Sequence, residues 1–373
     1  MGEDQDALTS DVSGSGSGDH VDDRPIFVVG FQRSGTTLLQ ALLGSHSRIA
    51  APPETYFIFR IADFADYYGD LQEDVNLRRA LHDLLNPPLP LFDECGFDEE
   101  RLFERARAGD RTYPSLFDTM MRDYAERMSK VRWSDKTPGQ PAGRVLDLFP
   151  DAQIVHILRD PRDVIASSLE TPWTKANAAK LAEEWRRFTL ENIAVGRASG
   201  EGSYMEVRYE ELTRDPDGVL RAICAFLGEV YDPEMTTDRS RRKGTVASVV
   251  APWQARALDA IAPSREGGWR DRLSRLDRAR IAAILSPEIA SLRYQPFPPA
   301  DALAGRCLRV AWRLHSQPRP VSPTVATDPA ARHRELDRFL SEGVSAVERW
   351  QDAEEATERG RSRNASGRGT RDI

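Results

Sequence analysis

Pro25-Ile26-Phe27-Val28-Val29-Gly30-Phe31-Gln32-Arg33-Ser34-Gly35-Thr36-Thr37-Leu38-Leu39 is the stretch that decides the fold. Ile26 to Val29 is a short apolar run, as expected of a strand buried on both faces of a sheet. Gly30 to Gly35 reads as a loop, and Thr36 to Leu43 as a helix with Leu38, Leu39, Leu42 and Leu43 on one face. Two glycines five apart let backbone N–H groups curl around an anion, and the helix start adds about half a positive charge. The spacing is that of the first two glycines of the triphosphate loop Gly-x4-Gly-Lys-Ser/Thr, but Thr36 stands in the lysine position. The cation has moved into the loop, as Arg33. NTP hydrolysis is therefore a poor fit, while a purely structural turn is the competing reading of the glycines.

Working outward, strand-like and helix-like segments alternate. Val131-Arg132-Trp133 is a candidate strand ended by Lys136-Thr137-Pro138, and Gln153 to Leu158 is a stronger one. Val164 to Leu169 begins a helix, Leu181 to Ala198 is helical and amphipathic, and Tyr204 to Tyr209 is a further strand. Pro216 to Leu227 and Asp277 to Leu285 read as helices, as do 303–314 and 333–350. Residues 56–130 are mostly helical, broken at Asn86-Pro87-Pro88 and near Gly109. Such alternation implies an α/β fold with a central, mostly parallel sheet and helices on both faces. Ligands of such sheets sit at the carboxyl ends of the strands.

Charge is unevenly spread. The 373 residues carry a net charge of −8, and residues 1–24 hold seven acidic residues against Arg24. That acidic, Gly/Ser-rich segment reads as a disordered leader, and the Gly/Arg-rich residues 352–373 as a disordered tail. The rest is near neutral and lacks a dominant basic stripe, so no nucleic-acid partner is expected. No apolar run reaches the length of a membrane span and no secretory signal is present, so a cytoplasmic enzyme without an integral membrane segment is expected. Cys95, Cys224 and Cys307 form no CxxC pair, which argues against a zinc site or a disulfide scaffold.

The loop resembles the 5′-phosphosulfate loop of sulfotransferases that use 3′-phosphoadenosine 5′-phosphosulfate (PAPS), in which a basic residue precedes Ser-Gly-Thr-Thr. Arg159-Asp160-Pro161-Arg162-Asp163-Val164-Ile165-Ala166-Ser167 is similar to their 3′-phosphate motif, whose first Arg and a Ser eight residues later grip the phosphate. A planar guanidinium fork and a hydroxyl suit a dianion. The match runs from about Pro25 to Trp269, and its style is that of the branch containing protein-tyrosine sulfotransferases and bacterial relatives. The resemblance implies a three-layer, P-loop-like fold over residues 25–300; it does not explain the helical stretch 56–130, expected to be a substrate-side insertion, or 301–351, expected to be a C-terminal helical extension. It implies PAPS as co-substrate with no metal, bound by Arg33, Ser34, Gly35, Thr36, Thr37, Arg159, Ser167 and Tyr209.

The same resemblance makes Glu54, in Ala51-Pro52-Pro53-Glu54-Thr55, the general base. Arg33 and Lys136 would meet the charge that develops on the transferring group. Glu54 as a helix cap, His46 as a rival base, Lys136 as a surface residue and Tyr209 as a core residue are the alternatives. Trp269 resembles part of a late loop that covers the nucleotide, but Gly268 precedes it where Lys or Arg is usual. Thr171 likewise replaces an expected basic contact; Arg265, Arg270, Thr245 and Ser248 are candidates to compensate. The acceptor is a hydroxyl of a sugar, lipid, phenol or peptide, selected by 56–130 and Pro172-Trp173, and the oligomeric state stays open. The competing functions are a metal-dependent P-loop phosphotransferase and a non-catalytic nucleotide-binding module.

Overall fold

The computed structural model describes residues 23–88, 92–171, 174–242, 245, 261, 266–315, 329–331, 333, 334 and 338. Five strands are described: β1 Ile26–Gly30, β2 Ile49–Ala50, β3 Arg132–Pro138, β4 Gln153–Leu158 and β5 Tyr204–Arg208. They form one sheet in the order β2-β3-β1-β4-β5, and every neighbouring pair is parallel. The principal helices are α1 Thr36–Ser45, α2 Phe57–Arg60, α3 Ala65–Tyr68, α4 Asp74–Leu85, α5 Glu99–Arg107, α6 Tyr113–Arg127, α7 Ala142–Leu148, α8 Pro161–Leu169 and α9 Ala178–Ala198. They continue with α10 Tyr209–Arg214, α11 Pro216–Leu227, α12 Glu234–Thr237, α13 Trp269–Arg272, α14 Arg275–Ser291 and α15 Pro299–His315.

Strand alternation makes two cores. Phe27 and Val29 of β1 join Ile154 and Leu158 of β4 in a cluster covered by α4 to α9 and α14. Ile26 and Val28 join Val155 and Ile157 in a second cluster under α1 and α11. The three layers thus follow from β1 and β4 being buried on both faces, apolar at every residue but Gly30, Gln153 and His156. Local signals set several helix starts. Asp160 accepts from Arg162 N ahead of Pro161, Asn177 accepts from Lys180 N, and Asp215 accepts from Gly218 N. Such caps satisfy N–H groups that the helix leaves unpaired.

The differences from the sequence reading have tertiary causes. β3 runs on through Lys136 to Pro138 because β1 continues beside it, pairing Val28 with Lys136 and Gly30 with Pro138. Lys136 is therefore a strand residue, not one beyond a strand end. β5 stops at Arg208, so Tyr209 opens α10. β2 pairs Ile49 and Ala50 with Arg132 and Trp133, and two residues carry no readable period. α14 extends past Leu285 and contains Pro287. Residues 1–22, Pro172-Trp173, Ser248, Arg265, most of 333–350 and the tail 352–373 lie outside the described residues.

Candidate active site

The loop between β1 and α1 owes its shape to two left-handed residues, Arg33 (φ 69°) and Gly35 (φ 99°). Ser34 N donates to Phe31 O at 3.1 Å, closing the turn. No side chain caps α1 at Gly35, so its first-turn N–H groups are available to an anion. The two phosphate motifs meet here. Arg159 Nη1 donates to Arg33 O at 2.9 Å, and Arg33 Nε donates to Ser167 Oγ at 3.1 Å. The Arg159 guanidinium lies 4.3 Å from the centre of the Tyr209 ring. That ring in turn closes on Gly35: a Cβ there would sit 2.3 Å from Tyr209 Cδ2. Arg33, Gly35, Arg159, Ser167 and Tyr209 are thus one contact chain drawn from β1–α1, β4–α8 and α10.

The neighbouring residues of the second motif have other tasks. Arg162 is buried, makes two hydrogen bonds to Asp160 (2.9 and 2.7 Å), and lies over Trp269 and Phe297. Asp163 accepts from Gly267 N at 3.0 Å and Trp269 N at 2.8 Å. Burial, and then the Asp160 charge, push the Asp163 carboxyl up. Trp269 is 0% exposed, and its ring packs in the core against the Arg162 guanidinium and Phe297. Arg270 is exposed and donates to Gln295 Oε1 at 3.4 Å. Thr171 donates to Ser168 O at 2.7 Å, and Thr245 donates to Arg242 O at 2.6 Å.

On the other side of the loop, Lys136 Nζ stands 2.9 Å from Glu54 Oε2 and donates to Thr37 Oγ1 at 3.2 Å. The side chains of Lys136 and Glu54 are only 5% and 13% exposed, so the pair is shielded but reachable. Glu54 does not cap α2; Thr55 Oγ1 accepts from Phe57 N at 3.3 Å instead. His46 is buried, with Nε2 2.9 Å from Val230 O and Nδ1 accepting from Arg48 N at 3.1 Å. Both ring nitrogens are engaged, which makes it a packing residue at the end of α1.

Four residues to which the sequence reading gave no role, Gln40, Ser134, Thr55 and Asp135, tie the segment around Glu54 to α1 and β3. Gln40 Nε2 donates to Ser134 O at 3.0 Å and to Pro52 O at 3.5 Å, while Ser134 Oγ donates to Gln40 Oε1. Thr55 Oγ1 donates to Asp135 Oδ2 at 3.1 Å. Burial pushes the Asp135 carboxyl up to about 8. Two polar residues inside apolar surroundings, Gln40 among Leu38 to Leu43 and Asp135 on a central strand, were the available signal. A small pocket beside Glu54 and Lys136 is lined by Tyr56, Phe57, Ile58, Phe59, Thr137 and Gln140. Tyr56 there has a left-handed backbone (φ 56°), and burial and Glu54 push its hydroxyl well above the usual phenol range.

A glycine loop at the carboxyl end of β1, a second basic motif after β4 and a shielded Lys–Glu pair stand together in an α/β protein, at the strand ends where ligands of such sheets bind. A sulfotransferase family model matches residues 25–233, and the chain belongs to that family. It is 22% identical to protein-tyrosine sulfotransferase A of Caenorhabditis elegans, over 56% of this chain and 51% of that protein. It is 27% identical to nodulation protein NoeE of Sinorhizobium fredii, over 56% and 50%. It is 25% identical to the omega-hydroxy-beta-dihydromenaquinone-9 sulfotransferase Stf3 of Mycobacterium bovis, over 57% and 66%. The chain spans only half to two thirds of the length of these relatives. Among solved structures, the sulfotransferase domain of a Synechococcus olefin synthase aligns with a TM-score of 0.49 at 23% identity, over 81% of this chain and 98% of that one. Among the described residues no helix is long and apolar enough to cross a membrane.

Proposed function

We propose that this protein transfers a sulfuryl group from PAPS to an acceptor hydroxyl, in the cytoplasm, with Glu54 as general base. The observation that carries the proposal is the Thr37–Lys136–Glu54 chain, in which one lysine links the start of α1 to the carboxylate at 3.2 and 2.9 Å. In this reading Arg33, Ser34, Gly35, Thr36 and Thr37 hold the 5′ side of the nucleotide. Arg159 and Ser167 hold the 3′-phosphate, and Tyr209 packs beside it. PAPS supplies the activated sulfur. The acceptor oxygen forms the new S–O bond while the bond to the 5′-phosphate breaks, and 3′-phosphoadenosine 5′-phosphate leaves. Glu54 takes the acceptor proton, a contribution typically worth ~10²–10⁴-fold. Arg33 and Lys136 meet the charge that grows on the sulfuryl and bridging oxygens.

The acceptor is a hydroxyl of a sugar, lipid, phenol or peptide; the relatives' names alone include a protein tyrosine and a menaquinone derivative. Incubation with sulfur-labelled PAPS and a cell extract, followed by identification of the labelled product, tests the reaction and names the acceptor class. Label transfer should persist in the presence of a chelator. Transfer of phosphate from ATP that the chelator abolishes would make the chain a phosphotransferase. Tight nucleotide binding with no transfer to any acceptor would make it a binding module.

A further inference from the structure

Thr55 and Asp135 form a buried hydrogen-bonded pair directly behind the Glu54–Lys136 pair, and the two pairs are adjacent in both segments. Glu54 meets Lys136, and Thr55 meets Asp135 at 3.1 Å. We propose that the Thr55–Asp135 pair is the positioning device that aims the Glu54 carboxylate at the acceptor oxygen. This rests on the sulfuryl-transfer reading above. Thr55 uses its hydroxyl twice, donating to Asp135 Oδ2 and accepting from Phe57 N at 3.3 Å. Tyr56 lies between these two anchors in a left-handed conformation that a non-glycine residue avoids. The doubly anchored hydroxyl therefore holds a backbone kink that the chain would otherwise relax. The kink is what lets Glu54 turn to Lys136 while Tyr56 and Phe59 turn to the pocket wall.

A structural purpose alone does not account for the carboxyl. Asp135 is 1% exposed, and its Oδ1 is buried without a hydrogen-bond partner. It lies on the strand face shared with Phe27, its register partner in β1, and with Trp133, both members of the larger apolar cluster. A polar group left unpaired in such a place lowers stability, and an apolar side chain of similar size would be tolerated or favoured. Locally costly residues of this kind concentrate where function requires them. Gln40 clamps the same segment from the other end, at Pro52 O. Segment 52–55 is thereby held on both sides of Glu54.

The test uses the full chain with Thr55→Val, Thr55→Ser, Asp135→Leu and Asp135→Asn. Three quantities are read: single-turnover transfer from PAPS to a surrogate phenol, the Kd of 3′-phosphoadenosine 5′-phosphate, and Tm. Small misplacements of a reacting group cost up to ~10²-fold in rate. Thr55→Val and Asp135→Leu should therefore lose about 10- to 100-fold in turnover, with nucleotide Kd within about threefold; Tm should fall in Thr55→Val, which leaves Asp135 Oδ2 unpaired, and stay unchanged or rise in Asp135→Leu. Thr55→Ser and Asp135→Asn, which keep the hydrogen bond, should stay within about fivefold of the unmodified protein. Unchanged turnover in Thr55→Val overturns the proposal, as does a loss that falls equally on turnover, nucleotide binding and Tm. If Asp135→Leu does not fold, Thr55→Val decides alone. Failure of the unmodified protein to transfer sulfuryl to any acceptor would sink the reaction assigned above. The positioning claim then stands or falls on the crystal structure of Thr55→Val: Glu54 displaced from Lys136 upholds it, Glu54 unmoved overturns it.

Discussion

Replacing Gly35 by alanine adds one methyl group at the point where the two phosphate motifs meet. The backbone there has φ 99° and ψ 14°, a region that costs an L-residue about 1–2 kcal/mol. The new Cβ would stand 2.3 Å from Tyr209 Cδ2 and 2.7 Å from Cε2, well inside contact distance. The ring cannot yield alone, because Arg159 lies 4.3 Å from its centre and is tied to Arg33 O at 2.9 Å. Displacing the ring therefore moves Arg159 and the loop carbonyl together. Adding ~1–2 kcal/mol for the overpacking gives a total of about 2–4 kcal/mol, shared between the loop and the fold. If half falls on the anion-binding geometry, the affinity for 3′-phosphoadenosine 5′-phosphate drops about 5- to 30-fold. Calorimetric titration of Gly35→Ala, Tyr209→Ala and the double variant checks this as a cycle. Removing the ring relieves the clash but not the φ strain, so the double variant should bind better than the sum of the single losses predicts. Simple additivity, or unaltered binding by Gly35→Ala, would refute the packing account.

Arg159→Ala should weaken binding of 3′-phosphoadenosine 5′-phosphate about 10- to 100-fold, since a charge-assisted contact to phosphate contributes ~1.5–3 kcal/mol. The same nucleotide without its 3′-phosphate should be little affected; equal losses for both ligands would misplace Arg159. Glu54→Gln should leave nucleotide Kd within a few-fold while turnover falls ~10²–10⁴-fold. His46→Asn, which disturbs contacts to Val230 and Arg48, should lower Tm more than rate, and the reverse pattern would make His46 the base. Burial holds His156 down at about 3, below its ordinary value of 6.5. The unfolded chain therefore takes up the proton first as pH falls, and stability is lost between about 6.5 and about 3 at up to ~1.4 kcal/mol per pH unit. For Asp135, raised to about 8 from 3.8, the sign is opposite: the folded chain keeps a proton that the unfolded chain releases. Stability should fall as pH rises from about 4 to about 8, and Asp135→Asn should flatten that slope in Tm against pH.

Much of the molecule is legible along the chain because its causes are local. The strand–loop–helix of residues 26–45 follows from an apolar run, two glycines and a leucine stripe. α11 runs from Pro216 to Leu227, between a capping Asp215 and a left-handed Gly228. β4 spans Gln153–Leu158, as its apolar run implies. The resemblance of the two phosphate motifs to those of sulfotransferases likewise picks out Arg33, Glu54, Lys136 and Arg159 as candidates. Tertiary structure decided how those candidates divide their work. Arg159 and Arg162 share one motif, yet Arg159 reaches Arg33 and Tyr209 while Arg162 is locked on Asp160 between Trp269 and Phe297. No local rule separates two arginines three residues apart; the packing of β4 against β1 and of α13 against α8 does. β2 and the extension of β3 exist only because neighbouring strands offer partners. Gln40, Thr55 and Asp135 come together from three separate segments, brought within hydrogen-bonding distance by the parallel crossover. A single sequence displays residue types and periods, whereas such contacts depend on distances that only the folded chain sets.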